Sequence, residues 1–314
     1  MFGKRSQYSL PPLGSSPWLV LSHGRHKQIQ TFFNPVDGST HHRSIPEMRR
    51  KRCLGCSNGW LMMIDDTASS KDCFLLSLAS MESIPLPPLP IKLNDDRQFI
   101  LSAPADAVDC SVVLFDRRQA LFHRLHADNG KGWTVLDVKE ARGLNVIFSD
   151  GITTFEGKIC LHTNLNSLVT IDMKSSNGPN VERVEVERIF KTKRDPCRGT
   201  IVVSRGELLA VILYFERPGG LVTNAEVYRL DCSSLVWERL ESIGDDRAIF
   251  LGHCGGGLMV SDERVRGDCI YFMQASYDGM RWYRFRLDER SISHKLFCPG
   301  LWKTWQASFL AILA

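Results

Sequence analysis

No apolar stretch in this sequence approaches the roughly 20 residues that a membrane helix requires. Even the apolar close of the chain, Phe309 to Ala314, falls far short. The amino terminus, MFGKRSQYSLPPLGSSPW, has no apolar run of signal-peptide length. An excess of one charge is missing too. Lys+Arg 39 against Asp+Glu 35 leaves +4, spread along the chain, whereas a nucleic-acid binder concentrates basic charge on one face. Clear amphipathic helices are absent as well, which turns the reading away from helical folds.

What is present is ordinary for a globular protein. Hydrophobic residues make up 43% and charged residues 24% of 314 positions, enough chain for a sizeable core that needs neither disulfides nor metals. The ten cysteines (Cys53, Cys56, Cys73, Cys110, Cys160, Cys197, Cys232, Cys254, Cys269 and Cys298) are scattered, mostly beside apolar residues. Without a leader, this pattern describes reduced thiols in an intracellular protein, cytoplasmic or nuclear.

Strand signatures recur from end to end: short β-branched or aromatic runs closed by Gly, Asn, Asp or Pro. Trp18-Leu19-Val20-Leu21, Trp60-Leu61-Met62-Met63-Ile64, Val112-Val113-Leu114-Phe115, Leu168-Val169-Thr170-Ile171, Ile201-Val202-Val203, Val227-Tyr228-Arg229-Leu230 and Cys269-Ile270-Tyr271-Phe272 are examples. Phe33-Asn34-Pro35-Val36-Asp37-Gly38 leads to Ser44-Ile45-Pro46, and later Leu76-Ser77-Leu78-Ala79-Ser80 leads to Ser83-Ile84-Pro85, the same layout with the Asn-Pro lost. Ser57-Asn58-Gly59, Phe155-Glu156-Gly157 and Ser204-Arg205-Gly206 have the chemistry of hairpin turns, where Gly supplies positive φ. Leu230-Asp231 and Leu287-Asp288 close two similar strands. A blade period of about 40 to 50 residues, divided into Pro17 to Cys298, predicts an all-β propeller of six or seven four-stranded blades. The predicted organisation is a flexible segment over 1–16, the propeller over 17–299 and a tail over 300–314. The apolar spacing of Leu301 to Leu313 suits one short helix in that tail.

The order Phe33-Asn34-Pro35, Gly59-Trp60-Leu61, Ile84-Pro85-Leu86-Pro87-Pro88, Gly132-Trp133-Thr134, Phe155-Glu156-Gly157-Lys158, Val227-Tyr228-Arg229-Leu230-Asp231, Trp237, Phe250-Leu251-Gly252 and Cys269-Ile270-Tyr271-Phe272 resembles the plant F-box-associated β-propeller family of KIB type. The resemblance runs from about Pro17 to Pro299. It implies a propeller that usually follows an amino-terminal F-box helix bundle and recruits substrates to a Skp-cullin ubiquitin ligase. Met1 to Ser16, with Pro11, Pro12 and Gly14, is too short and too rich in helix breakers for such a bundle, so binding of a Skp-type adaptor by this chain is not expected.

Catalytic and metal-binding patterns do not complete themselves. Cys53-Leu54-Gly55-Cys56 with His41-His42 sketches a Cys2His2 zinc site, but the second closely spaced pair is lacking, and reduced cysteines in a strand and turn are the simpler reading. His23/His26 and His123/His126 would align on a helix and diverge on a strand, and the strand reading prevails. Gly252-His253-Cys254-Gly255-Gly256-Gly257 lacks the Gly-Lys-Ser/Thr ending of a phosphate loop and reads as a hairpin turn. Asp65-Asp66, Asp95-Asp96 and Asp245-Asp246 have turn chemistry. Arg49-Arg50-Lys51-Arg52 is the one dense basic run; it reads as a solvated inter-strand loop, with a nuclear-localisation patch or an acidic partner as its functional alternatives. Trp60, Trp133, Trp237 and Phe250 are expected in packed strands, with Trp302 and Trp305 freer in the tail.

The expectation is therefore a non-enzymatic protein-interaction module with no catalytic, cofactor-binding or metal-binding residue. It would recognise a protein partner or ubiquitination substrate through its loops, and neither nucleic acid nor membrane. A ligase substrate receptor whose F-box is missing from this chain and an enzyme at the channel mouth are the alternatives.

Overall fold

The computed structural model describes residues 17–65, 72–90, 98–115, 119–126, 132–137, 148–163, 167–174, 179–187, 189, 196–252, 257–260, 265–276, 279–296 and 308–313. Apart from two single 3-10 turns, the regular elements in them are strands. The first blade uses β1 (Trp18–His23), β2 (Ile29–Phe33) and β3 (Thr40–Arg43). The second holds β4 (Lys51–Ser57), β5 (Trp60–Asp65), β6 (Cys73–Ser77) and β7 (Ser83–Leu86), and the third β8 (Gln98–Leu101), β9 (Ser111–Phe115), β10 (Gln119–Arg124) and β11 (Thr134–Asp137). The fourth holds β12 (Phe148–Phe155), β13 (Lys158–Thr163), β14 (Ser167–Asp172) and β15 (Asn180–Glu185). The fifth holds β16 (Cys197–Ser204), β17 (Glu207–Phe215), β18 (Val222–Asp231) and β19 (Val236–Leu240). The sixth holds β20 (Ala248–Leu251), β21 (Gly257–Val260), β22 (Cys269–Ser276), β23 (Gly279–Arg286) and β24 (Ser291–Leu296), and β25 (Ser308–Leu313) returns to the first blade. The molecule is a six-bladed propeller, which decides between six and seven.

Because side chains alternate across a strand, each blade buries both faces, one against each neighbour. In β17, Leu208 and Ala210 join Cys160, Leu168 and Trp237 in a core shared with the fourth blade. Leu209 and Val211 point the other way, into a core with Ile249, Ile270, Phe272 and Tyr283 of the sixth. The same partition sets Val113 and Phe115 against Ile159 and Val169, and Val112 and Leu114 against Met62 and Leu75. Such strands read as near-continuous apolar runs, and each large side chain withdrawn from water stabilises the ring by about 1.5–3 kcal/mol.

The turns repeat with the blades. Asn58-Gly59, Glu156-Gly157 and Arg205-Gly206 each place two successive residues at positive φ, 49° and 76°, 49° and 74°, and 49° and 77°. The flanking residues pair directly, Ser57 with Trp60, Phe155 with Lys158 and Ser204 with Glu207. These are two-residue hairpins of the twist-matched type. At the turn between the third and fourth strands of a blade an Asn or Asp side chain accepts the backbone N–H two residues on: Asn34 from Val36 at 2.8 Å, Asp172 from Lys174 at 2.8 Å and Asp231 from Ser233 at 2.9 Å.

The tail departs from the expected helix. Residues 301–307 lie outside the described residues, and Ser308–Leu313 form β25, antiparallel to β1 with Trp18 opposite Leu313 and Ser22 opposite Ser308. A strand there satisfies the inner edge of β1 with ladder hydrogen bonds, which one short helix would leave unpaired. An aromatic row reinforces the same seam: Phe250 stacks on Tyr271 at 4.7 Å, Tyr271 on Trp282 at 5.6 Å, and Trp282 meets Phe33 of the first blade edge-on at 5.8 Å. The sixth blade also exceeds the expected four strands. β21 pairs antiparallel to β20, with Leu251 opposite Gly257, and β20 runs parallel to β22.

Candidate functional site

Strands β25, β4, β8, β12, β16 and β21 each stand at one end of their sheet, and successive members of this series touch one another. They are the inner strands of the ring. The face on which β4 begins also carries the β1–β2 turn, and two loops meet there. One is the 3-10 turn Arg25–Lys27, the other the 3-10 turn Pro46–Met48 with Arg49 and Arg50, which feeds β4. The Arg50 N–H donates to the His26 carbonyl at 2.8 Å, joining the two.

A buried side chain locks the junction. Gln30 is wholly buried; its Nε2 donates to the Lys27 carbonyl at 2.8 Å and its Oε1 accepts the Ile45 N–H at 2.7 Å. The amide supplies both a donor and an acceptor at one terminus, so an ionised Glu would lose the bond to the Lys27 carbonyl and an apolar residue would lose both. The backbone around it is strained. His26, Lys27 and Arg50 have φ of 58°, 56° and 57° without being Gly or Asn, at a cost of about 1 kcal/mol or more each. Arg25, Arg49 and Arg50 are exposed. Burial, and then the charges of Arg50, Arg25 and Arg49 in that order, hold the His26 imidazole below its ordinary value. The run Arg49-Arg50 thus lies in an inter-strand loop, as expected, and Arg25 and His26 join it from another loop. Lys51 and Arg52 belong to β4 instead, with Lys51 paired to Asp65 at 3.1 Å.

The remaining candidates are dispersed. Cys53 and Cys56 lie in β4; the Cys53 thiol donates to the Gly55 carbonyl at 3.3 Å, and burial pushes Cys56 up to about 12. His41 sits on β3 edge-on to Trp18, while the Nδ1 of His42 shares the Thr31 hydroxyl with the Nε2 of His23 at 2.8 and 2.7 Å. His23 and His123 are on strands, but His26 and His126 lie in turns beyond the strand ends, and the Nε2 of His126 is 2.8 Å from the Ala105 carbonyl oxygen. Asp245 and Asp246 occupy a turn, where Asp246 pairs with Arg205. Residues 253–256, Asp66, Asp95, Asp96, Trp302 and Trp305 lie outside the described residues. Trp237 and Phe250 are buried, whereas Trp60 and Trp133 are half-buried at the margin of the second interface core; the Trp133 indole donates to the Pro87 carbonyl at 2.7 Å.

Surface carboxylates such as Asp231 and Asp246 are lowered by the Ser234 and Ser233 hydroxyls and by Arg205 respectively, while several other displaced titrations belong to packed interiors. Burial lowers His162 to about 4 and raises Cys73 and Cys160 to about 12. Tyr214 and Tyr228 are raised by burial and by donating to one carboxylate oxygen of Glu226, at 2.6 and 2.9 Å. Glu226 is in turn paired with Arg239 at 3.3 Å, so this cluster acts as a brace between β17, β18 and β19.

The model of the KIB1-4 β-propeller family matches residues 32–297. The chain belongs to the KIB1-4 β-propeller family. Among curated relatives of this KIB-type propeller is the F-box protein KIB4 of Arabidopsis thaliana, 24% identical over 303 residues, an alignment that spans 82% of this chain and 70% of that protein. Solved structures show more distant likeness. AztD of Citrobacter koseri superposes with a TM-score of 0.40 at 7% identity, covering 95% of this chain and 98% of that one. A chain of the nidogen/laminin complex reaches 0.43 at 7% identity, covering 95% and 99%. Likeness at that level says nothing of function. No helix among the described residues is long and apolar enough to cross a membrane.

Proposed function

We propose that this KIB-type propeller is a non-enzymatic protein-interaction module, working inside the cell, that recognises its partner with the loops of one face. The observation that supports this most is the paired-loop platform, in which a buried Gln30 and a backbone hydrogen bond hold exposed side chains from two turns in one arrangement. Pre-ordered loops lose less freedom on binding, which is how a rigid scaffold supports recognition. Tyr214, Cys160 and His162 are displaced chiefly by burial in blade packing, and Asp231 at the surface is lowered by the Ser234 and Ser233 hydrogen bonds of its turn, a pattern that weighs against acid/base chemistry at the channel mouth. Affinity purification with the full chain as bait tests the reading. Reproducible enrichment of the same proteins over an unrelated propeller supports it, and enrichment of none refutes it.

The curated relative is by name an F-box protein, and that favours a second, finer reading. Here the propeller would hold substrates for a Skp-cullin ligase, with the adaptor-binding part supplied outside this chain. Captured partners should then accumulate when cullin ligases are inhibited, and the purified chain alone should show no saturable binding to a Skp-type adaptor. Micromolar binding of the adaptor would overturn the second expectation.

A further inference from the structure

We infer that the platform of Arg25, His26, Arg49 and Arg50 is a docking surface for an acidic segment, rich in Asp and Glu, of a partner protein. The inference rests on the interaction-module reading and adds the surface and the chemistry it recognises. Three features carry it. The first is charge without local compensation: Arg25, Arg49 and Arg50 form no ion pair among the described residues. Glu47 is the one carboxylate that the two loops, residues 24–28 and 44–50, contain. By contrast Arg205, Arg229, Arg239, Arg247 and Arg286 elsewhere on the ring are all paired with carboxylates. The second is convergence: the Arg50 N–H donates to the His26 carbonyl at 2.8 Å, which brings Arg49 and Arg50 to the turn that carries Arg25, and burial first, then the three charges together, lower the His26 imidazole. The third is preorganisation. Three left-handed residues in these loops are held by Gln30 and by the Arg50-to-His26 hydrogen bond. Strain retained at the exposed Arg50, and in the half-buried His26 and buried Lys27 beneath it, points to a use for this arrangement.

The guanidinium fork matches a carboxylate through two parallel N–H donors, which suits Arg for a peptide bearing several separate acids. A long polyanion fits less well. Lys51 at the start of β4 is already neutralised by Asp65, and Glu47 interrupts the track, so a nucleic acid following its own backbone would soon leave the cationic surface. A membrane surface fits less well too, because the large exposed hydrophobics among the described residues are Met81, Val108 and Val135, none of them on these loops.

The purified chain can be tested by fluorescence anisotropy against labelled octa-glutamate, with octa-glutamine, a ten-nucleotide oligothymidine and phosphatidylserine vesicles as comparisons. Saturable binding of octa-glutamate and none of octa-glutamine is expected, with affinity falling several-fold between about 50 and 200 mM salt. The R49E/R50E double variant and R25E, on the other loop, should each weaken it by about tenfold or more, and R183E on outer strand β15 should not. Unchanged melting temperatures would show that the variants are folded. The inference is overturned if octa-glutamate does not bind, if the platform variants bind it as well as wild type, or if oligothymidine or vesicles bind more tightly. Affinity purification with wild-type and R49E/R50E baits separates this inference from the wider reading. If both baits recover the same proteins equally, the platform is refuted while the interaction module stands; partners lost with the variant support both.

Discussion

The stability of the ring should fall between pH 6.5 and 4 because of one buried imidazole. His162 on β13 is 1% exposed, lies between the fourth and fifth blades and meets the Trp237 ring edge-on at 6.1 Å. Burial alone lowers it from 6.5 to about 4. The unfolded chain therefore takes up this proton before the folded one. The contribution is complete above the unfolded value and is lost as the pH falls toward the folded value. At about pH 5 the unfolded imidazole is almost fully charged and the folded one almost neutral. A difference of roughly 1.5 pH units at 1.36 kcal/mol each makes the loss about 2 kcal/mol, a large part of the roughly 5–15 kcal/mol that holds a domain together. Carboxylates and other histidines titrate in the same range, so wild type should be compared with His162→Leu by urea denaturation at about pH 7.5 and about pH 5. The variant should lose about 2 kcal/mol less than wild type over that step. Equal losses, or an imidazole resonance of His162 that titrates near 6.5, would refute the argument.

Trp237→Ala should cost about 3–5 kcal/mol and lower the melting temperature by roughly 10 °C, because the indole fills the fourth interface core. Trp237→Phe should cost much less, since the Trp237 Nε1–H has no hydrogen-bond partner among the described residues and its removal relieves a desolvated donor. Gly151→Ala should destabilise by about 1–3 kcal/mol, read by thermal melting, because a Cβ there would lie 2.4 Å from the Ile201 backbone nitrogen and force inner strands β12 and β16 apart. Among the described thiols, the exposed Cys232 should react first with a thiol reagent at about pH 8, and Cys232→Ser should remove that phase. Cys73 and Cys160, held near 12 by burial, should react only on unfolding.

The parts of this fold that were legible in the sequence are those whose cause is local. Asn58-Gly59, Glu156-Gly157 and Arg205-Gly206 announce hairpins because a two-residue turn with positive φ at both positions favours Gly at the second, and the structure has that geometry at all three. Asp231 closes its strand for an equally local reason, a carboxylate reaching the N–H two residues on. Blade number was not legible, because the sixth blade carries a fifth strand that spoils the period, and β20 pairs in parallel with a strand that no hairpin connects to it. The tail misled for a related reason. Phe309 to Leu313 is a short unbroken apolar run, which suits a helix or a buried strand equally by periodicity, and its partner Trp18 lies at the far end of the described chain.

The platform sits between these cases. Arg49-Arg50 stands out in sequence, yet Arg25 and His26 join it only because closing the first blade brings the β1–β2 turn beside the loop that enters β4. Gln30 gives no warning either, since a glutamine between isoleucine and threonine reads as the polar face of a strand until its full burial is seen. In a ring of this kind a surface patch is shared by turns from neighbouring blades. Each local stretch then carries only part of the charge, and the part that decides its arrangement is the buried side chain beneath.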